Sequence, residues 1–319
     1  MKRQKIKKVA KVIPAAFVLS SALFVAPGFS SAATDTPTNV GNLPVVISSQ
    51  EAKAPMTAEQ AEKDKLPIPK APVGPYQEFP YEAYSTTQYG DVIDYIFLDV
   101  YPEKAMTVST SKMFNSPDMI TVLPDGTRTA EIKDHYNVDL TPGKLAYSVG
   151  IAKNSELGKQ FLSDTKLKKD IYWKLIDSNI VDKNSGYHWS KSVTSGLSKS
   201  NTVGFALTVG VEAGLGDALS FSTSLTTSFE HNTTITTEDS VVKTFDFNPR
   251  PDSVHAQYRT ALYQQLAKYS VQPGSQLQGL IDTWNKAEDF PFQVKLKKEF
   301  TYPVDVILAL TSKEKEEQE

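Results

Sequence analysis

The chain has 319 residues, 40% of them hydrophobic and 22% charged, with 34 basic and 37 acidic side chains and a formal net charge of −3. That apolar content is enough for real cores, and the evenly sprinkled charge argues against a nucleic-acid partner. With no cysteine, the chain has neither a disulfide, a thiol nucleophile nor a lipid-attachment residue.

Lys2, Arg3, Lys5, Lys7, Lys8 and Lys11 precede an apolar run, Val12 to Val25, and then the small-residue segment GFSSAATDT. These are the three parts of a secretory signal, residues 1–33, with cleavage expected after Ala32 or Ala33. Pro14 and Ser20-Ser21 interrupt the run and leave it too short for a membrane anchor. A secreted, extracellular protein is therefore expected. Without the signal it carries 28 basic and 37 acidic residues, a formal −9.

Residues 34–80 contain eight of the nineteen prolines, so 34–75 read as an extended arm or a removable pro-segment. Within it Thr57 and Gln60 make a capping box at the head of a short helix, and Lys63, Lys65 and Lys70 offer protease sites. A head of mixed character follows over 76–187. Tyr76, Tyr81, Tyr84 and Tyr89 stand in polar, proline-bounded chain, where such a cluster is either core or a contact surface for a receptor: a glycan, a protein or a lipid. DVIDYIFLDVY (91–101) is apolar on both parities and predicts a strand buried on both faces. Short strands are expected over 105–110, 119–123 and 145–151, between turns at Pro124-Asp125-Gly126 and Thr141-Pro142-Gly143. Residues 155–177 fit one or two helices by their apolar spacing, although Tyr172-Trp173 favours a strand.

The composition then changes over 188–254. No proline occurs from 143 to 248, and twenty of the fifty-one residues from 190 to 240 are Ser or Thr. In TVGFALTVGVEAGLGDALSFSTSLTTSF (202–229), Val203, Phe205, Leu207, Val209, Val211, Ala213 and Leu215 hold the odd positions. After a Gly-rich turn the odd phase resumes on Leu219, Phe221, Leu225 and Phe229, with Ser220, Ser222, Ser224, Thr226 and Ser228 opposite. This is the period of two strands with one apolar face. Parity requires a three-residue tip, Leu215, Gly216 and Asp217, which pairs Ala213 with Leu219, Val211 with Phe221, Leu207 with Leu225 and Val203 with Phe229. Each arm has eleven residues, and a tilted transmembrane strand needs roughly 9–11. A half-buried hairpin in a soluble sandwich alternates in the same way. The polar face differs from that of an ordinary exposed sheet in being almost wholly hydroxyl, Gly or Ala. Trp189, Val193 and Leu197 before the hairpin, and Ile235, Val241, Phe245 and Phe247 after it, keep the same odd phase.

Over 255–312, YRTALYQQLAKY (258–269) reads as helix by propensity, QLQGLIDTWNKA (276–287) as a packed helix, and 292–297 and 300–310 as strands. The tail 313–319 is charged and expected to be disordered. No catalytic residue and no metal or cofactor site is expected. His135, His188, His231 and His255 are far apart in sequence, Asp134 and Asp139 beside His135 read as a solvated turn, and no GxSxG, P-loop or GxGxxG occurs.

The stretch 200–240, SNTVGFALTVGVEAGLGDALSFSTSLTTSFEHNTTITTEDS with its phrase SLTTSF, the junction FDFNPRPDSV (245–254) and YSVQPG (269–274) together resemble the insertion region of the aerolysin-like β-pore-forming toxins, in particular the epsilon-toxin and mosquitocidal-toxin (ETX/MTX2) group. The likeness covers roughly residues 185–275. It implies a mainly β, elongated fold with long twisted antiparallel strands, a small mixed α/β head and a tucked amphipathic insertion hairpin. It also implies a strand over 258–269, against the propensity. The implied partners are a target-cell membrane, a receptor, and further copies of the chain in a homo-oligomeric ring. Val203, Phe205, Leu207, Val209, Val211, Ala213, Leu219, Phe221, Leu225 and Phe229 would then face lipid, and Thr208, Glu212, Ser220, Ser222, Ser224 and Thr226 the barrel lumen. Ser/Thr tracts at 190–200 and 232–240 would frame the tucked hairpin. Removal of a terminal peptide, at Lys313 or Lys315, would fit activation in that group. The other reading of the same residues is a secreted β-rich binding or surface protein whose hairpin never leaves the fold.

Overall fold

The computed structural model describes residues 56–63, 67–211, 218–229, 235–297 and 299–315. In chain order its elements are β1 (Met56–Thr57), α1 (Ala58–Lys63), β2 (Glu82–Asp91), β3 (Tyr95–Pro102), β4 (Met106–Ser109), β5 (Met119–Val122), β6 (Asn137–Leu140), β7 (Tyr147–Ala152), α2 (Glu156–Phe161) and β8 (Lys166–Asp182). There follow β9 (Tyr187–Ser195), α3 (Thr202–Val209), α4 (Ala218–Phe229), β10 (Asp239–Phe247), β11 (Gln257–Gln272), α5 (Ser275–Asn285), β12 (Phe292–Leu296) and β13 (Phe300–Thr311). The fold is mainly β.

Two long strands form its spine. β8 and β11 pair antiparallel from Gln257 against Asp182 at one end to Gln272 against Lys166 at the other. β13 joins β11, β2 joins β8, and β1 adds to β13 in parallel, giving the sheet order β1-β13-β11-β8-β2. The strand reading of 258–269 prevails over its helical propensity because β11 lies inside this sheet. Its odd side chains, Ala261, Tyr263, Ala267 and Tyr269, and its even ones, Thr260, Leu262 and Gln264, are buried on opposite faces. A helix would have left one side of that sequence in water; here tertiary context overrides propensity.

Odd-phase residues of the Ser/Thr-rich flanks do form a ribbon. β9 and β10 pair with Val193 against Val241 and Trp189 against Phe245. The ribbon lays Trp189, Val193 and Phe247 on Leu262, Ile307 and Ala309 of the spine sheet. Lys243 is buried in the same layer and pairs with Asp305, while Lys191 reaches Asp177 at 2.8 Å. On the opposite face lies the proline-rich segment 67–80. It is extended, as its prolines dictate, and packed: Phe79 joins Trp173, Tyr263 and Leu308 in one cluster. Its proline carbonyls accept from the sheet's polar side chains, Pro67 from Trp173 Nε1 at 2.9 Å, Pro75 from Arg259 Nε at 2.8 Å and Pro80 from the Tyr263 hydroxyl at 2.7 Å. The capping box before it is formed, with Thr57 N to Gln60 Oε1 at 2.9 Å and Gln60 N to Thr57 Oγ1 at 3.3 Å.

The head contains the sheet β12-β3-β7-β5 and the pair β4-β6. In β3, Ile96 to Val100 are all buried, which is the both-parity apolar run. The ambiguous stretch 155–177 divides: Ser155 Oγ caps α2 through Gly158 N at 2.9 Å, and from Lys166 the chain is strand. α5 turns Leu277, Leu280, Ile281 and Trp284 into the head core.

One expectation is corrected. Residues 202–209 and 218–229 are not the arms of a hairpin; they are the helices α3 and α4. The pairings of Leu207 with Leu225 and Val203 with Phe229 are therefore absent. The reason is that a spacing of four serves both periods, being two strand repeats and about one helical turn. Phe205 with Val209, and Leu225 with Phe229, point inward either way. The alternating hydroxyls are also compatible with helix, because Thr202 Oγ1 donates to Ser198 O at 3.0 Å and Thr208 Oγ1 to Gly204 O at 2.7 Å. The tip Leu215, Gly216 and Asp217, together with Glu212 and Ala213, lies outside the described residues.

Candidate functional site

α3 and α4 form a cover over the end of the spine sheet nearest the head. α3 is buried almost all round, from Phe205 to Val211 without a break, as befits a helix apolar on every side. Phe205 meets the rings of Phe300, Tyr269 and Tyr302 edge-on at 5.3, 5.5 and 6.0 Å. Leu207 turns the other way and packs on Phe97 and Val122 of the head, with Val203 half-buried beside it. α3 stops at Gly210, whose φ of 73° suits glycine. A Cβ there would stand 1.8 Å from Tyr95 O. Gly210 O accepts from Asp94 N at 3.1 Å and Tyr95 N at 3.0 Å, pinning the end of α3 to the start of β3.

α4 lies along β2. Phe229 reaches the Tyr269 ring at 6.0 Å, Ser228 Oγ donates to Asp91 O at 2.5 Å, and Ser222 Oγ accepts from Ile235 N at 2.7 Å. Gly90 permits this approach, since a Cβ on it would come within 2.9 Å of Phe229 Cδ1 and Ser228 O. Of the residues assigned to a lipid face, Phe205, Leu207, Val209, Val211, Leu225 and Phe229 are buried. Of those assigned to a lumen, Thr208 is buried and Ser222, Ser224 and Thr226 are half-buried. Leu219, Ser220 and Phe221 fall within α4, but their side chains lie outside the description.

Tyr269 and Tyr302, beneath the cover, are buried. Burial pushes the Tyr302 hydroxyl up to about 12 and that of Tyr269 well above its ordinary value. Lys169 lies in the same place, its Nζ 5.8 Å from the centroid of the Tyr269 ring. Burial holds its pKa below the usual lysine value. Among the described residues it has no carboxylate partner.

The second feature is on the other face of the spine sheet, beyond the ribbon. Tyr76, Tyr81, Tyr84 and Tyr89 are 77%, 63%, 63% and 59% exposed, so the core reading of these tyrosines fails. β2 brings Tyr84 and Tyr89 to one sheet edge, with Tyr81 just before it under the Lys174 ammonium at 5.6 Å. Tyr76 does not join them. It bonds Gln257, which pairs with Asp182, ten residues along β8 from the Tyr84 partner Tyr172. Tyr84 opens onto a groove of about 560 Å³ lined also by Thr87, Lys168, Asp170, Tyr172 and Lys268. Asp170 holds it together, accepting from Thr87 Oγ1 at 2.5 Å and from Lys168 Nζ at 2.8 Å. Burial drives the Asp170 carboxyl upward, but the hydrogen bonds from Lys168 and Thr87 and the charges of Lys168 and Lys268 outweigh it, so its pKa lies below the ordinary value. No stretch of the sequence signals this groove, because Tyr84, Asp170 and Lys268 come from three separate strands, β2, β8 and β11.

Among the described residues no group of three or more His, Asp or Glu could hold a metal ion. His135 is engaged by Thr110 Oγ1 at 3.1 Å and Asp139 by Thr107 Oγ1 at 2.5 Å. No helix among the described residues is long and apolar enough to cross a membrane, which says nothing of strands.

The chain matches no protein-family model and no curated protein. Among solved structures it is similar to that of Cry35Ab1, at a TM-score of 0.31 and 12% identity, over 77% of this chain and 52% of that one. The likeness thus spans about half the length of Cry35Ab1.

Proposed function

We propose that this chain is a secreted, membrane-permeabilising protein of the aerolysin-like kind, similar in pattern to the epsilon-toxin and mosquitocidal-toxin group. It attaches to a target-cell surface through the tyrosine edge and its groove, assembles with further copies of itself, and contributes residues 202–229 to a transmembrane β-barrel. The observation that carries this reading is the pairing of sequence and burial in one stretch. Its apolar set alternates as a membrane strand's does, and in the folded chain the described members Phe205, Leu207, Val209, Val211, Leu225 and Phe229 are all covered. A barrel is the form in which such strands satisfy their backbone groups in hydrocarbon.

The test is release of calcein from liposomes and of haemoglobin from red cells by the purified protein, with and without limited proteolysis, alongside a gel for SDS-resistant oligomers. Leakage with oligomers supports the proposal; intact membranes across all lipid compositions and cells sink it. Substituting Leu207 by Asp does not discriminate, because Leu207 packs on Phe97 and Val122 and a carboxylate there disrupts folding first. The exposed tyrosines favour a second reading, a secreted binding protein. It predicts saturable attachment to cells with no leakage.

A further inference from the structure

We infer that residues 202–209 and 218–229 are stored as helix and function as strand: α3 and α4 unwind and re-form as β structure when the cover lifts. This rests on the pore-forming proposal and specifies how its inserting segment is kept until use. Length makes the first argument. α3 has 8 residues and α4 has 12, so as helices they measure about 12 and 18 Å. Neither crosses a hydrocarbon core of about 30 Å. As strand, the eleven residues from Leu219 to Phe229 reach about 36 Å, enough to cross with tilt.

Local preference makes the second. Seven of the twelve residues of α4 are Ser or Thr, which disfavour helix interiors because their hydroxyls compete for the backbone. In α3, Val203, Thr208 and Val209 are β-branched and stiff at χ1. The helices are held by what they touch. The four-residue spacings Phe205–Val209 and Leu225–Phe229 let one sequence satisfy both conformations. Such a conflict between local preference and the adopted structure is the mark of a two-state element.

The seat of the cover makes the third. Phe205 and Phe229 close over Tyr269, and Lys169 lies against that ring with burial disfavouring its charge. The clasps, Ser228 to Asp91 O, Ser222 to Ile235 N and Gly210 O to β3, are hydrogen bonds to backbone that part without rearranging either sheet.

Ser224 and Thr227 discriminate between the two conformations. In a helix they are three apart and share a side; in a strand they stand on opposite faces. Thr227 is exposed and Ser224 half-buried in the folded chain, and the chain has no cysteine. Full-length Thr227→Cys and Ser224→Cys, each carrying an environment-sensitive fluorophore, are read in solution and after leakage of phosphatidylcholine–cholesterol vesicles or of red-cell ghosts. The result expected is a blue shift at 227 with quenching by lipid-borne nitroxide, and quenching by aqueous iodide at 224. Leakage with the two probes in one environment, or with neither changed, overturns the inference and leaves the pore proposal standing. No leakage by unlabelled wild-type protein on any membrane overturns both. A Ser224 variant that fails to leak is replaced by Thr226→Cys, on the same strand face, and a Thr227 variant by Thr223→Cys, on the other face, so that each arm yields a reading.

Discussion

Replacing Phe205 tests whether the cover is fastened as described. Its ring is fully buried and meets three others edge-on, those of Phe300, Tyr269 and Tyr302 at 5.3, 5.5 and 6.0 Å. Each such pair contributes roughly 0.5–1.5 kcal/mol beyond area burial, so Phe205→Leu, which keeps most of the volume, should cost about 2 kcal/mol. Phe205→Ala adds a cavity and should cost roughly 3–5 kcal/mol. The loss should be local before it is global. Trp173 lies in the cluster under the proline-rich segment, Trp189 in that under the ribbon and Trp284 in the head core, so tryptophan fluorescence in urea follows the body of the protein. Amide exchange over 202–209 and 218–229 follows the cover. In Phe205→Ala the cover amides should exchange at a much lower free energy than the strands β8 and β11. Unchanged protection over 202–209, or a cost in urea below about 1 kcal/mol, would refute the seating of α3 on the three rings.

Other outcomes follow from single contacts. Lys169→Met should raise Tm, since it removes a charge whose ionised form burial disfavours. Because the folded pKa lies below the unfolded value, the unfolded chain binds the extra proton in the window between them. Wild-type stability should therefore climb as pH rises from the folded pKa toward about 10.4, a climb the variant lacks; Tm measured against pH in both decides. Gly210→Ala forces a left-handed residue and a Cβ 1.8 Å from Tyr95 O; a loss of more than about 2 kcal/mol in denaturant is expected. Tyr84→Ala and Tyr89→Ala alter exposed side chains and should change stability by less than about 0.5 kcal/mol, while cell attachment measured by flow cytometry falls severalfold.

The legible parts of the chain are those where one period admits one structure. The odd phase of Trp189, Val193, Val241 and Phe245 marked both arms of the ribbon as strand, while their mutual register, Val193 against Val241, came only with the fold. The helical spacing Leu277, Leu280, Ile281, Trp284 gave α5 in the same way. Residues 202–209 and 218–229 carry a strand-like alternation yet fold as helix, because the inward pairs Phe205–Val209 and Leu225–Phe229 lie four apart, and four does not distinguish the two periods. Whether 258–269 was strand depended on neighbours nearly a hundred residues away in β8, which propensity does not see. The groove was invisible for a related reason: Tyr84, Asp170 and Lys268 meet only because β2, β8 and β11 are adjacent in the sheet. In the sequence each looks like an ordinary solvated side chain.

The two ends of the described chain run side by side. β1 is parallel to β13, Val73 bridges Lys313 in parallel, and Lys313 N donates to Pro72 O at 2.8 Å while its own carbonyl accepts from Gly74 N at 2.8 Å. Chain entering before Met56 and leaving after Lys315 therefore pulls this seam in shear, with its hydrogen bonds loaded together. A tug on the termini is resisted collectively. A tug on the cover meets its clasps one at a time. Under mechanical load, as on a surface to which one part of the molecule is fixed, the seam should hold while the cover yields.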